Sequence, residues 1–306
     1  MRTRTATPTI LNTDAHSLFR DSAAATVIEQ RYAELLDSWP VPADRLVLET
    51  HFGNTFVLAS GPADAPPVIA LQGSGANAAQ WLSQIAVLAE RHRVYAVDVI
   101  GEPGLSAPSR PPLSSDSYAR WLDAVLAALG VTRVAMIGVS LGGWFALDYA
   151  VRRPDKVAAL VVQNPSGVGR RRLGVLVKFI ALRPFGQRGL HAAFNAAVGP
   201  LPQLPGDRPI DTRQAELAFL IFKHFRHRME PIPVFPDEAL AALTMPVLAL
   251  VGGRDPMVNA VQTKERLLTS APTATVRFLP DAGHLLPDQT ATIVEFLVTN
   301  ENRKVR

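Results

Sequence analysis

The spacing of apolar residues along the 306-residue chain changes several times, and each change marks a boundary. Ser22–Trp39 has helical spacing, with Val27, Ile28, Ala33, Leu35 and Leu36 as its candidate buried face. Beyond a break at Pro40 and Pro42, two β-rich runs, Arg45–Thr50 and Thr55–Ser60, join through Gly53-Asn54 and predict a hairpin. Further runs of strand length lie at Val68–Leu71, Val94–Val97, Val134–Val139, Val157–Gln163, Val247–Val251 and Thr275–Leu279. Helical stretches separate most of them, at Ala78–Glu90, Tyr118–Leu129, Leu141–Arg152 and Val258–Ser270, and another at Asp288–Thr299 closes the chain. Continuous Val, Ile and Leu runs belong to strands covered on both faces. The alternation therefore predicts an α/β fold, a mostly parallel central sheet flanked by helices.

The alternation fails once, between Asn164 and about Leu243, after the sixth predicted strand. Helix-like pieces at Leu173–Leu182, Leu190–Val198 and Arg213–Arg226 predict a helical cap there, because a structureless loop of that length does not suit a compact domain. The expected organisation is an N-terminal extension with a helix (1–44), a core built from 45–163 and 245–306, and a cap at 164–244. Ligands of open α/β sheets sit at the carboxyl ends of the strands, where such a cap forms a roof.

Composition narrows the picture. At 48% hydrophobic and 19% charged residues the chain reads as an ordinary globular protein. It has no cysteine, which excludes disulfides, thiolate nucleophiles and cysteine-ligated metals and is compatible with the cytoplasm as its expected location. No apolar run reaches the roughly 18–20 residues of a membrane span, and the N-terminus, MRTRTATPTILNTDAH, lacks the apolar core of a secretory signal. The formal charge is +4, but no long basic run or aromatic–basic interleaving accompanies it, so no nucleic-acid partner is expected. Asn164–Thr244 holds 11 Lys and Arg against 6 Asp and Glu, a surplus of 5 that suits a solvated helical surface or a field drawing in acidic substrates.

The strongest chemical signal is Gly138-Val-Ser140-Leu-Gly142, between a predicted strand and a predicted helix. This G-x-S-x-G pattern in a strand–turn–helix setting is a nucleophile elbow: small residues two positions either side of the serine make room for a strained turn that exposes its hydroxyl. A serine needs a base. His284, in Pro280-Asp281-Ala282-Gly283-His284 after the last predicted strand, is the only histidine beyond the cap. The base needs a carboxylate to fix its tautomer. Asp255, in Gly252-Gly253-Arg254-Asp255-Pro256 at a strand end, is the candidate; Asp98, Asp281 and Asp288 are rivals. The order Ser, Asp, His is that expected for this fold. Backbone N–H donors for a developing oxyanion are expected from Leu141 and from Ser74, in the loop Gln72-Gly73-Ser74-Gly75-Ala76-Asn77. There is no phosphate loop and no dinucleotide fingerprint, and the chemistry calls for no cofactor and no metal. His224 and His227 stand three apart without a visible third ligand, and the cap phenylalanines 179, 185, 194, 219, 222 and 225 read mostly as packing.

With these residues in place the chain resembles the α/β-hydrolase superfamily over nearly its whole length. More narrowly it is similar to bacterial carboxylesterases that cleave naproxen and other arylpropionate esters. Trp39-Pro-Val-Pro42, Phe52-Gly53, Ser60-Gly-Pro-Ala-Asp-Ala-Pro-Pro67, Asp98-Val-Ile-Gly101, Gly138-Val-Ser-Leu-Gly-Gly143 and Asp281-Ala-Gly-His284 carry the likeness. The oxyanion loop begins Gln72-Gly73 where the superfamily usually has His-Gly, and the cap shows no specific match. The resemblance implies a serine hydrolase that opens a carboxylic ester of a small molecule through an acyl-enzyme. Thioesterase, lactonase, acyltransferase and carbon–carbon hydrolase activities use the same groups, and some proteins of this fold are ligand receptors. Haloalkane dehalogenases and epoxide hydrolases normally have Asp where Ser140 stands.

Overall fold

A computed structural model describes residues 4–5, 13–172, 174–199 and 212–301. Its strands are β1 (Arg4–Thr5), β2 (Ala43–Thr50), β3 (Gly53–Ser60), β4 (Pro67–Leu71), β5 (Arg93–Val97), β6 (Val134–Val139), β7 (Val157–Gln163), β8 (Val247–Gly252) and β9 (Ala274–Leu279). Its helices are α1 (Ser22–Asp37), α2 (Ile85–Leu88), α3 (Ser117–Leu129), α4 (Leu141–Arg152), α5 (Gly174–Leu182), α6 (Gly186–Val198), α7 (Thr212–His224), α8 (Asp237–Ala241), α9 (Ala260–Ser270) and α10 (Thr290–Glu301). The strands form one sheet in the order β1-β2-β3-β5-β4-β6-β7-β8-β9, antiparallel from β1 to β5 and parallel from β5 to β9. The predicted hairpin forms, but it turns at His51-Phe52; Gly53 and Asn54, expected as its connection, belong to β3 and pair with Thr50 and Glu49, and the two-residue β1 is an addition to the expected strands.

Successive residues of each strand enter opposite cores, as the pleat demands. Val57, Ala59, Ile69 and Leu71 face one, with Trp121 of α3 and Trp144 of α4; Phe56, Leu58, Val68 and Ala70 face the other, with Ile28 of α1 and Ile293 of α10. Helix α4 is buried from Leu141 through Ala150, which explains its lack of a polar face.

Two further expectations need correction. Ala78–Glu90 is not one helix but a 3-10 turn at Ala78–Trp81 followed by the short α2. The N–H groups of Gln80, Leu82 and Gln84 bond carbonyls three residues back, the 3-10 pattern, rather than four back as in an α-helix. Val27 is 44% exposed, and Tyr32 takes its place on the buried face of α1.

Strand order reverses at β4, which lies between β5 and β6. In open α/β sheets such a switch point opens a crevice at the carboxyl edge. Register pairs Leu71 with Gly138, Val139 with Gln163, and Gly252 with Leu279, so the loops after β4, β6, β7, β8 and β9 leave the sheet side by side. Between β7 and β8 the described chain carries α5, α6, α7 and α8.

Candidate active site

Strand β6 delivers the chain to Ser140 with φ 53° and ψ −111°, a left-handed turn costly for any residue with a Cβ. Only Asn164 joins it as a non-glycine residue of positive φ among the described residues. The glycines around it are demanded sterically. A Cβ on Gly138 would collide with the Gly142 carbonyl, and one on Gly142 with the carbonyls of Leu71 and Gln72. The Ser140 N–H donates to the Gln163 carbonyl at 2.9 Å, and its carbonyl accepts from Trp144 and Ser166, both at 3.1 Å. Ser140 is 8% exposed, and Leu141 opens α4, where a first-turn N–H has no acceptor within the helix.

The structure brings Asp255 and His284 together. Asp255 Oδ2 lies 2.7 Å from His284 Nδ1, while Oδ1 accepts the N–H groups of Met257 at 2.7 Å and Val258 at 3.1 Å. The loop after β8 thus holds one oxygen of this 1% exposed carboxylate through two of its own N–H groups and leaves the other for His284. Asn164, at the end of β7, ties that loop to the histidine loop. Its Nδ2 donates to the carbonyls of Gly283 (3.1 Å) and His284 (2.8 Å), and its Oδ1 accepts the Gly252 N–H at 2.8 Å. Sequence reasoning missed this residue, whose only signal is its place at a strand end. Cap segments also reach the site: the Val198 carbonyl at the end of α6 accepts the His284 N–H at 3.0 Å.

The rival carboxylates lie elsewhere. Asp281 pairs with Arg254 on the surface, and Asp288 accepts the Thr290 N–H at the start of α10. Asp98 is fully buried and accepts from the Tyr32 hydroxyl, the Ala78 N–H and the Leu105 N–H. Burial pushes its carboxyl up to about 6, against the pull of those three donors.

On the other side of Ser140 is the loop after β4. A Cβ on Gly73 would lie 3.6 Å from the Ser140 Cβ, so the two loops are in contact. Gln72, in the place of the usual histidine, anchors this loop: its amide donates to the Val97 carbonyl (2.6 Å) and accepts the Val99 N–H (2.8 Å). The Gly73 N–H donates to Gln80 Oε1 at 3.0 Å and the Gly75 N–H to Glu102 Oε2 at 2.7 Å. Among the described residues the Ser74 N–H between them has no protein acceptor. The Ser74 side chain also favours the charged form of Glu102. Glu102 is 2% exposed, and burial pushes it up to about 7, opposed by the Gly75 N–H, by the charges of Arg110 and Arg228 and by Ser74. The His227 ring leans on Gly75, close enough that a Cβ there would sit 2.7 Å from its Cε1. Burial holds that imidazole down to about 4, hence neutral. Glu102 and its arginines have no sequence motif and were found only in the structure.

The chain has relatives among known proteins. Residues 66–219 match the alpha/beta hydrolase fold family. An uncharacterized carboxylesterase, nap, from Bacillus subtilis is 30% identical over 87% of this chain and 88% of its own length. Carboxylesterase YbfK of the same organism is 30% identical over 84% and 87%. The crystal structure of a Bacillus subtilis naproxen esterase superposes with a TM-score of 0.77 at 28% identity, covering 92% of this chain and all of its own.

Proposed function

The chain belongs to the alpha/beta hydrolase fold family, and from that premise we propose that it hydrolyses carboxylic esters through an acyl-enzyme formed on Ser140. The carboxylesterase relatives supply the reaction class. The observation that carries the mechanism is the 2.7 Å Asp255–His284 pair on the same sheet edge as the strained Ser140 turn.

Asp255 fixes the tautomer with the proton on Nδ1, leaving Nε2 as the base. In this reading Nε2 takes the Ser140 proton as Oγ attacks the ester carbonyl. The carbonyl oxygen becomes an oxyanion facing the N–H groups of Leu141 and Ser74, which a water-poor site makes worth several kcal/mol. The tetrahedral species then collapses, His284 hands the proton to the departing alkoxide, and the alcohol leaves. A water next gives its proton to His284 and attacks the acyl carbon, and Ser140 recovers its proton as the acid departs. No group outside the chain is required. Thioesters and lactones present the same carbonyl to the same groups.

The test is p-nitrophenyl butyrate hydrolysis at pH 8 by the wild type and by Ser140→Ala. The expected result is a kcat lower by at least about 10³-fold in the variant. Retained turnover would remove Ser140 from the mechanism.

A further inference from the structure

We propose that the outer face of the cap, formed by α5 and the turn that follows it, docks on an anionic phospholipid surface. Between Asn164 and Gly199 the chain carries Arg170, Arg171, Arg172, Lys178, Arg183 and Arg188 and not one Asp or Glu. Helix α5, GVLVKFIAL, is apolar except for Lys178. Its partner in the fold is α6, yet Val177 and Ile180 are 61% and 63% exposed, and Phe185 in the following turn is 67% exposed. Val177 and Ile180, three apart, share one face of the helix. A surface helix ordinarily turns its apolar stripe inward, so α5 inverts the usual pattern.

Exposed apolar side chains and a stretch of chain whose only charges are positive thus occur together, and each limits what can cover this part of the cap. The apolar side chains gain by leaving water, which a nucleic acid backbone does not offer them. The cations gain from negative headgroups. A second copy of the chain would satisfy the apolar residues but would set a segment with only positive charges against another of the same sign. A bilayer rich in anionic lipid satisfies both demands, as it does for interfacial amphipathic helices. The contact is peripheral, since no helix among the described residues is long and apolar enough to cross a membrane.

The location gives the docking a use. Arg172, just before α5, donates to the Asp255 carbonyl at 3.3 Å, and the end of α6 accepts the His284 N–H. A bilayer against α5 would thus meet a cap tied to both loops. The implied substrates are apolar esters dissolved in the membrane. That substrate class rests on the esterase reading; the docking does not.

The test is co-sedimentation of the full chain with vesicles of phosphatidylglycerol and phosphatidylcholine, or of phosphatidylcholine alone, at low salt. The wild type should partition at least about tenfold more strongly onto the phosphatidylglycerol vesicles, and high salt should release it. The double variant Ile180→Asp, Phe185→Asp should lose at least about tenfold of that partition while keeping p-nitrophenyl butyrate turnover in vesicle-free buffer. Equal partition of the two proteins, or none by the wild type, would overturn the proposal. So would a wild-type dimer in equilibrium sedimentation that the double variant dissolves, which assigns the face to a second copy. Loss of turnover by Ser140→Ala is read separately, so a failed esterase reading and a failed docking face give different results.

Discussion

Asp255 and Glu102 are both almost fully buried carboxylates that hold a loop at the carboxyl edge of the sheet, but they keep different company. Asp255 accepts from two backbone N–H groups and the His284 ring, all supplied by its own loop and the next one. Glu102 accepts from the Gly75 N–H and feels the charges of two arginines, one of them, Arg228, from the segment that follows α7. For Glu102 burial outweighs those partners and lifts the carboxyl to about 7. In the proposed mechanism the first carboxylate acts through a side chain that moves protons. The second acts through a stretch of main chain that must only stay in place. A site of this kind needs both, and the loss of either should be felt in proportion to how directly it touches the reacting atoms.

The largest break in that comparison is Asp255→Asn. It keeps the shape and removes the charge that selects the His284 tautomer, so kcat should fall by about 10³–10⁴-fold with a much smaller change in KM. A fall in kcat of less than tenfold in steady-state kinetics would assign the orienting role to another group.

Glu102 sharpens the other half. Glu102→Ala frees the Gly75 N–H and should lower kcat by about 10–10²-fold, less than the 10²–10³-fold expected when an oxyanion donor itself is lost. Glu102→Gln leaves an oxygen for Gly75 and should retain most of kcat. The same variant reads the buried charge. Because the folded carboxyl titrates near 7 and the free one near 4.5, the folded state holds the extra proton between these values. The wild type should therefore lose stability, relative to Glu102→Gln, as pH rises through that window. Urea midpoints at pH 5 and pH 8 measure this, and a difference that does not change with pH would contradict a lifted Glu102.

How much of this is legible in the sequence follows from the range of each interaction. The parallel sheet can be read because strands covered on both faces need unbroken apolar runs, as in Val134–Val139 and Val247–Val251. The Ser140 turn can be read because its steric demands fall on Gly138 and Gly142, two residues away. Asp255 and His284 stand at strand ends in short loops, so topology alone limits the choice. Asn164 bonds to groups 88 to 120 residues distant, and Glu102 draws Arg110 and Arg228 from separate segments; neither leaves a spacing to detect. Gln72 shows the same limit from the other side. A departure from the usual histidine looks like a lost anchor until the strand beside it supplies Val97 and Val99. The split of Ala78–Glu90 lies in which carbonyl each N–H takes, three back or four, a choice that apolar periodicity does not register.

The central claim is an acyl-enzyme on Ser140, and trapping the serine tests it most directly. The protein is treated with a fluorophosphonate, and the intact mass and the modified peptide are measured for the wild type and for Ser140→Ala. One adduct per wild-type chain, located on Ser140 and absent from the variant, is the predicted result. An unlabelled wild type that still turns over p-nitrophenyl butyrate, or an adduct on another residue with Ser140→Ala still active, would contradict it.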